Sequence, residues 1–264
     1  MSGVRISSAD DPVSCRAVEE LQREVWGQPD RAVVPAEQIR AVVHNGGMLL
    51  LAHEDDTLIG FCYAFVGVEE DRPIWCSHML AVRRPWRSKG VGRALKQGQR
   101  ALARERGIGK ITWTFDPLQA RNAYLNLHRL GAYARRYFVD HYGAMDDDIN
   151  RGTPTDRLLA EWPVADAARP ARPGARPWIL PATTGAGVTR PGELDAGHAA
   201  GDGGLIAVPS DVDALRRAAT DATAQWRLAL RDALQASFAA GLTAVDVERD
   251  AGPGIAAYVL ARTA

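Results

Sequence analysis

Between residues 87 and 93 the chain reads Arg87-Ser88-Lys89-Gly90-Val91-Gly92-Arg93. Gly90 and Gly92 place no Cβ between the backbone and an approaching ligand, and Arg87 and Lys89 add positive charge at the same place. If a helix starts there, its orphan N–H groups and its macrodipole favour negative charge, so the chemistry of the segment is the holding of a phosphate or diphosphate. A nucleotide P-loop would need a glycine, four residues, Gly-Lys and then Ser or Thr. A dinucleotide-binding turn would need three glycines and an acidic residue after the next strand. Neither pattern is present. A second group able to do chemistry is His78, which can take or give a proton near neutral pH. It lies two and four residues before Leu80 and Val82, a spacing that puts all three on one strand face. The alternative for such a residue is a core histidine hydrogen-bonded to backbone.

The surrounding elements must hold these groups. Residues 74–82 read as a strand, 91–106 as a helix with Val91, Ala94, Leu95, Leu102 and Ala103 at helical spacing, and Lys110 to Asp116 as the next strand. That order is a parallel crossover, and open sheets bind ligands beyond the carboxyl ends of such strands, where the Arg87 loop lies. Upstream come a strand at Val4 to Ser7 and a helix opened by Asp10-Asp11-Pro12, with Val13, Ala17, Val18, Leu21 and Val25 on one side and Gly27 as its stop. A second helix opens at Pro35 with Ile39, Val42 and Val43 on one face, and a hairpin of 48–54 and 57–68 turns at Asp55-Asp56. Downstream, a helix at 119–130 ends at Gly131, aromatic strand material runs to Tyr142, and Asp156 to Pro163 forms another strand. The Ala, Arg and Pro mixture from Ala165 to Pro177 has no period and reads as a linker. Strands at Trp178 to Leu180 and Leu205 to Val208 flank a Gly-rich stretch, Gly185 to Gly204, expected to be mobile. A single long helix, Asp211 to Ala240, and strands at Thr243 to Glu248 and Ile255 to Leu260 complete the reading. The expectation is an α/β fold with a mixed sheet flanked by helices, in two domains: 1–148, and 149–264 as a C-terminal α/β extension with its linker near 165–177.

Composition narrows the partners. The 264 residues are 46% apolar and carry 32 basic and 32 acidic side chains, so no net charge draws the whole molecule to nucleic acid or membrane. Arg83-Arg84 and Arg135-Arg136 lack interleaved aromatic platforms, which argues against a nucleic-acid partner; Arg135-Arg136 remain candidates to pair an acidic substrate group. The start of the chain carries no cleavable signal, and there is no apolar run long enough to span a bilayer. Cys15, Cys62 and Cys76 have no metal-ligand spacing and are odd in number, which fits a reducing cytoplasm and no metal site. The expected partner is a small molecule.

Leu80-Ala81-Val82, four residues, then Arg87-Ser88-Lys89-Gly90-Val91-Gly92 resembles the acetyl-coenzyme-A motif of the GNAT superfamily, whose Arg or Gln, two residues, Gly, one residue, Gly or Ala pattern is matched in full. The likeness covers about residues 1–145. It implies that the strand ending at Val82 diverges from the strand at 110–116, that pantetheine inserts between them, and that backbone donors around Met79 to Ala81 bind the thioester carbonyl. It also implies acetyl-CoA or another acyl-CoA as co-substrate, contacted by Leu80, Ala81, Val82, Arg87, Ser88, Lys89, Gly90, Val91, Gly92 and Arg93, with Asn122 a further contact. His78 falls where many members place a catalytic Glu. The usual acid, a Tyr four residues before the glycine that ends the fourth helix, is here Leu127, so Tyr124 one turn earlier is the substitute candidate, with Tyr133 and His128 behind it. Val25-Trp26-Gly27, Phe115-Asp116-Pro117-Leu118, Asn122 to Gly131, Thr155-Asp156-Arg157 and Trp226-Arg227 together resemble a GNAT subgroup with a C-terminal extension. That likeness implies an N-acyltransferase moving an acetyl or succinyl group to a primary amine, an amino acid among the candidates, with a homodimer as a candidate assembly. A non-catalytic acyl-CoA-binding sensor is the alternative.

Overall fold

Asp11 caps the first helix, its carboxylate accepting the N–H groups of Val13 and Ser14 at 2.9 Å each. Pro12 sits in the first turn and Gly27, at φ 60°, supplies the left-handed stop, so α1 runs Pro12–Trp26. The computed structural model describes residues 3–27, 29–143, 154–165, 174, 176–185 and 187–263. Contacts divide these into two units, the first reaching to Trp113 with residues 143, 154 and 163–165, the second holding 114–142, 155–162 and the described residues from 174 onward. Residues 114–142 therefore cluster with the C-terminal part of the chain.

In the first unit, β1 (Val4–Ser8), β2 (Met48–Glu54), β3 (Thr57–Glu69), β4 (Arg72–Val82) and β5 (Lys110–Phe115) are adjacent in that order. Pairing is antiparallel as far as β4 and parallel between β4 and β5, making the sheet mixed as expected. Period-2 alternation sends Leu49, Leu51, Phe61, Tyr63, Met79 and Ala81 to one face, where they pack with Cys15, Val18 and Leu21 of α1 and with Ala36 and Ile39 of α2 (Ala36–His44). Val13, expected on that helix face, is 69% exposed, while Cys15 and Gln22 are buried in its stead. The opposite face carries α3 (Val91–Glu105), pressed so close that a Cβ on Gly98 would lie 3.3 Å from Ile6 and from Leu50.

The second unit begins with the last residues of β5 and α4 (Ala120–Ala123), which continues as a π-helical turn over Tyr124–Leu130 and ends at Gly131, φ 80°. Then follow β6 (Tyr133–Phe138), β7 (Arg157–Pro163), β8 (Trp178–Leu180), β9 (Ala182–Gly185), β10 (Val188–Pro191), α5 (Ala196–Ala199), β11 (Gly203–Pro209), α6 (Val212–Ala218), α7 (Thr220–Ala239), β12 (Leu242–Gly252) and β13 (Ile255–Arg262). Within it the strand order is β7-β6-β12-β13-β11-β8, antiparallel except for β11 with β8, and β9 pairs with β10. The Gly-rich stretch expected to be mobile instead contains half of this hairpin and α5, pinned where Trp226 Nε1 donates to the Thr189 carbonyl at 3.0 Å. The single long helix is two, because Ala219 leaves helical geometry at φ −156°, ψ 89°. No Gly or Pro marks that break, so the sequence offered no stop. Most of the linker expected at 165–177 lies outside the described residues.

Candidate active site

The parallel ladder between β4 and β5 pairs Trp75 with Ile111 and Cys76 with Thr112, and among the described residues it goes no further. From Ser77 to Val82 no residue of β4 has a ladder partner on β5 among the described residues, and a strand edge without a ladder presents backbone groups to a ligand. At its far end Arg87 Nε donates to the Val82 carbonyl at 2.9 Å, and Trp86 Nε1 donates to Glu54 at 2.8 Å, which pins the loop to the sheet. Ser88 at φ 61° and Gly90 at φ 85° both take left-handed backbone, curling the turn around a small concavity of N–H groups. Gly90 caps α3 without any side-chain hydrogen bond, and the first turn carries no acidic residue. The amides of Val91, Gly92 and Arg93 are thus aimed outward, with exposed Arg87, Lys89 and Arg93 around them. A methyl on Gly92 would meet Leu80 at 3.5 Å and Val82 at 4.0 Å, ordinary contact, so packing within the chain does not demand glycine there.

His78 does not share a face with Leu80 and Val82. The β3–β4 register pairs Tyr63 with Met79 but Ala64 with Ser77, leaving His78 as the extra residue of a β-bulge. That insertion turns its ring toward the α1 and α2 side, 6.3 Å from the Tyr63 ring and 5.8 Å from Phe65, centroid to centroid. His78 keeps solvent access, yet loss of water on its packed side lowers its pKa below 6.5, so it is neutral at pH 7.

On the other face the bulge sends Ser77 toward α3, where Lys96 Nζ donates to Ser77 Oγ at 3.2 Å and to Gln99 Oε1 at 2.7 Å. The same ammonium lies 3.6 Å from the centre of the Trp113 ring. Burial lowers the Lys96 pKa to about 8. Sequence reasoning missed this group; the signal it left was a lysine one residue beyond Leu95 on the apolar stripe of a helix.

Tyr124 and Asn122 lie in the second unit. Asn122 is exposed on α4. Tyr124 stacks on His128 at 4.4 Å with the Arg129 and Arg249 guanidinium groups 5.5 and 5.2 Å from its ring, and His128 Nδ1 is 3.0 Å from Asp246. Leu127, at the expected tyrosine position, is wholly buried. Arg135 and Arg136 do not wait for a substrate: they pair with the buried Glu161 at 3.1 and 3.6 Å. Among the described residues no group of His, Cys, Asp or Glu is placed to hold a metal, and no helix is long and apolar enough to cross a membrane.

Residues 15–132 match the model of the family described as Acetyltransferase (GNAT) family. No curated protein matches the chain in sequence. Among solved structures it is similar to the ribosomal-protein-S18-alanine N-acetyltransferase from Escherichia coli, at 16% identity over 62% of this chain and 96% of that one, TM-score 0.48. It is similar to Arabidopsis thaliana Naa50 in complex with a CoA bisubstrate analogue, at 14% identity over 60% and 97%, TM-score 0.48. It is also similar to yncA from Salmonella typhimurium with its cofactor acetyl-CoA, at 19% identity over 64% and 99%, TM-score 0.49.

Proposed function

We propose that this chain, whose residues 15–132 match the GNAT acetyltransferase family model, transfers an acyl group from acyl-CoA to a primary amine. One observation carries the reading: an uncapped helix N-terminus with left-handed Gly90 stands at the end of a strand that has no ladder partner on β5 from Ser77 to Val82 among the described residues. Diphosphate suits the first feature, and an extended amide-bearing arm suits the second. When bound, acyl-CoA supplies an activated thioester, and everything else is work for the protein. Arg87, Ser88, Lys89, Gly90, Val91, Gly92 and Arg93 hold the phosphates by backbone N–H groups and charge. Leu80, Ala81 and Val82 line the arm, and a backbone N–H donor around Met79 to Ala81 stabilises negative charge developing on the carbonyl oxygen. His78, neutral at pH 7 and open to solvent at the bulge, takes the proton that the attacking amine must lose. Tyr124 and Asn122 keep their proposed roles as acid and cofactor contact, and a small-molecule amine, an amino acid among them, is the proposed acceptor.

Calorimetry with acetyl-CoA and succinyl-CoA, followed by thiol release with a panel of amines, tests the assignment. Binding with turnover is the expected result, whereas failure of either ligand to bind would remove the assignment. The buried Leu127 in place of a tyrosine favours one second reading, an acyl-CoA sensor, which predicts binding without turnover on any amine.

For His78 the sign of the pH effect follows from its lowered pKa: the base is available above that value, and the rate falls as pH drops through it, below 6.5. His78→Ala should lower kcat about 100-fold at pH 7, flatten that acid limb and leave the KM for acyl-CoA nearly unchanged. A pH–rate profile identical to that of the parent would show that another group takes the proton.

A further inference from the structure

At about 1.5 Å of rise per residue, the 15 residues of α3 carry the chain roughly 20 Å from the Gly90 loop to Arg106. There the last turns of α2 and α3, the end of β1 and the start of β2 border a cavity of about 410 Å³, inside the size range of small-molecule sites. The cavity is made of first-unit residues alone. Its lining carries three basic side chains, Arg40, His44 and Arg106, and one acid, Asp10. Met48 and Leu49, both buried, and Leu102 supply an apolar floor.

Elsewhere in this unit arginines meet carboxylates: Arg23 pairs with Glu19, Glu20 and Asp30, and Arg83 with Glu24. At the cavity they do not. Arg40 Nη1 donates to the Asp10 carbonyl at 2.5 Å, and Arg106 Nη1 donates to the Gly47 carbonyl at 2.9 Å. Among the described residues no carboxylate forms an ion pair with Arg40, His44 or Arg106. The backbone tethers fix where the two guanidinium groups lie, and each still has most of its five N–H groups to offer. Trp75 steadies the second of them, its ring centre 5.7 Å from the Arg106 guanidinium. Hydrogen bonding at the helix ends does not call for these side chains. Backbone amides of Asn45 and Gly47 already take the last carbonyls of α2, and those of Arg106 and Ile108 take the last carbonyls of α3.

Two tethered guanidinium groups match a carboxylate, a lone carboxylate matches an ammonium, and an apolar floor matches an aliphatic chain. We propose that this cavity binds a free α-amino acid with an aliphatic side chain. Its carboxylate lies on Arg40 and Arg106, its ammonium on Asp10, and its side chain against Met48, Leu49 and Leu102. His44 adds a further N–H donor. A ligand lacking either charge forgoes one of these charge-assisted contacts, each worth about tenfold or more in affinity. The inference does not depend on the acyl-CoA reading, because the cavity lies at the opposite end of α3.

The test is calorimetry on the intact protein with leucine, with isocaproate, which lacks the ammonium, and with isoamylamine, which lacks the carboxylate. Leucine should bind at least about tenfold more tightly than either. Arg40→Gln and Arg106→Gln should each weaken leucine about tenfold or more, with the melting temperature nearly unchanged because both side chains are exposed. Asp10→Asn should remove the advantage of leucine over isocaproate. As a readout of place, the Met48 methyl resonance should shift with leucine in the parent and not in Arg106→Gln. Leucine that does not bind, or that binds both arginine variants with parental affinity, would overturn the site; the second result would put the ligand at an acceptor site instead. Whether acyl-CoA binds at the Gly90 loop is decided by its own titration and is untouched by either outcome.

Discussion

Gly90→Val should abolish measurable acyl-CoA binding, a loss of at least about 100-fold or about 2.7 kcal/mol, while the protein stays folded. Two effects act at that position. Gly90 has φ 85°, a conformation that costs a β-branched residue about 1–2 kcal/mol, so the turn will relax toward negative φ. Relaxation tilts the amides of Val91 and Gly92 away from their common focus, and the new side chain occupies the space nearest the helix N-terminus. The strain alone is small against the roughly 5–15 kcal/mol by which a domain is stable, so folding survives. Gly107→Val is the matched control. Gly107 has φ 70° with nothing within 4 Å of its absent Cβ, at the other end of α3. It should lower the melting temperature as much as Gly90→Val and leave affinity untouched. Equal affinities in the two variants, read by calorimetry, would mean that the phosphates are held somewhere else.

The difference between those glycines shows which parts of the molecule are legible in sequence. Gly90 and Gly92 announce themselves because they follow a strand, precede an apolar-periodic helix and sit beside Arg87 and Lys89; local chemistry and local geometry coincide. The hairpin around Asp55-Asp56 and the cap at Asp11 are equally local. His78 was placed on the wrong face because period-2 counting assumes an unbroken ladder, and the bulge exists only in the pairing of β4 with β3, a relation between distant residues. The helix break at Ala219 leaves no mark either, since alanine and threonine do not stop a helix by themselves. The π-helical turn at Tyr124–Leu130 is likewise invisible, and it alters which side chains of that segment share a face, so i, i+4 reasoning about Tyr124 and Leu127 has no fixed footing. Lys96 was countable but not readable: only the placement of Ser77 and Trp113 shows its charge to be buried.

The same long-range logic underlies the second large effect. Asp156, which the sequence presents as the start of a strand and as part of Thr155-Asp156-Arg157, has a wholly buried side chain in the second unit. Its carboxylate accepts from Arg231 Nε and Nη2 at 2.9 and 3.0 Å, from the Tyr137 hydroxyl at 2.6 Å and from the Asp140 amide at 3.1 Å. Burial pulls its pKa upward, but these donors outweigh burial and hold it below 3.8. Asp156→Ala would leave the Arg231 guanidinium and the Tyr137 hydroxyl facing a hole, and breaking a buried pair from one side costs about 3–5 kcal/mol. Asp221→Ala gives the contrast. Its pair with Arg190 leaves the two side chains 64% and 43% exposed, and its loss should cost no more than about 1 kcal/mol. The pH dependence has a definite sign. Because the folded pKa is depressed, the contribution of Asp156 is complete above the unfolded value near 3.8 and is lost as pH falls through the lower folded value, where the unfolded chain has already taken up its proton. Urea titrations between pH 2 and 7 should therefore show the parent losing stability toward acid more steeply than Asp156→Asn. Parallel curves for the two would mean that the carboxylate charge contributes nothing, and that Tyr137 and Arg231 are held by packing alone.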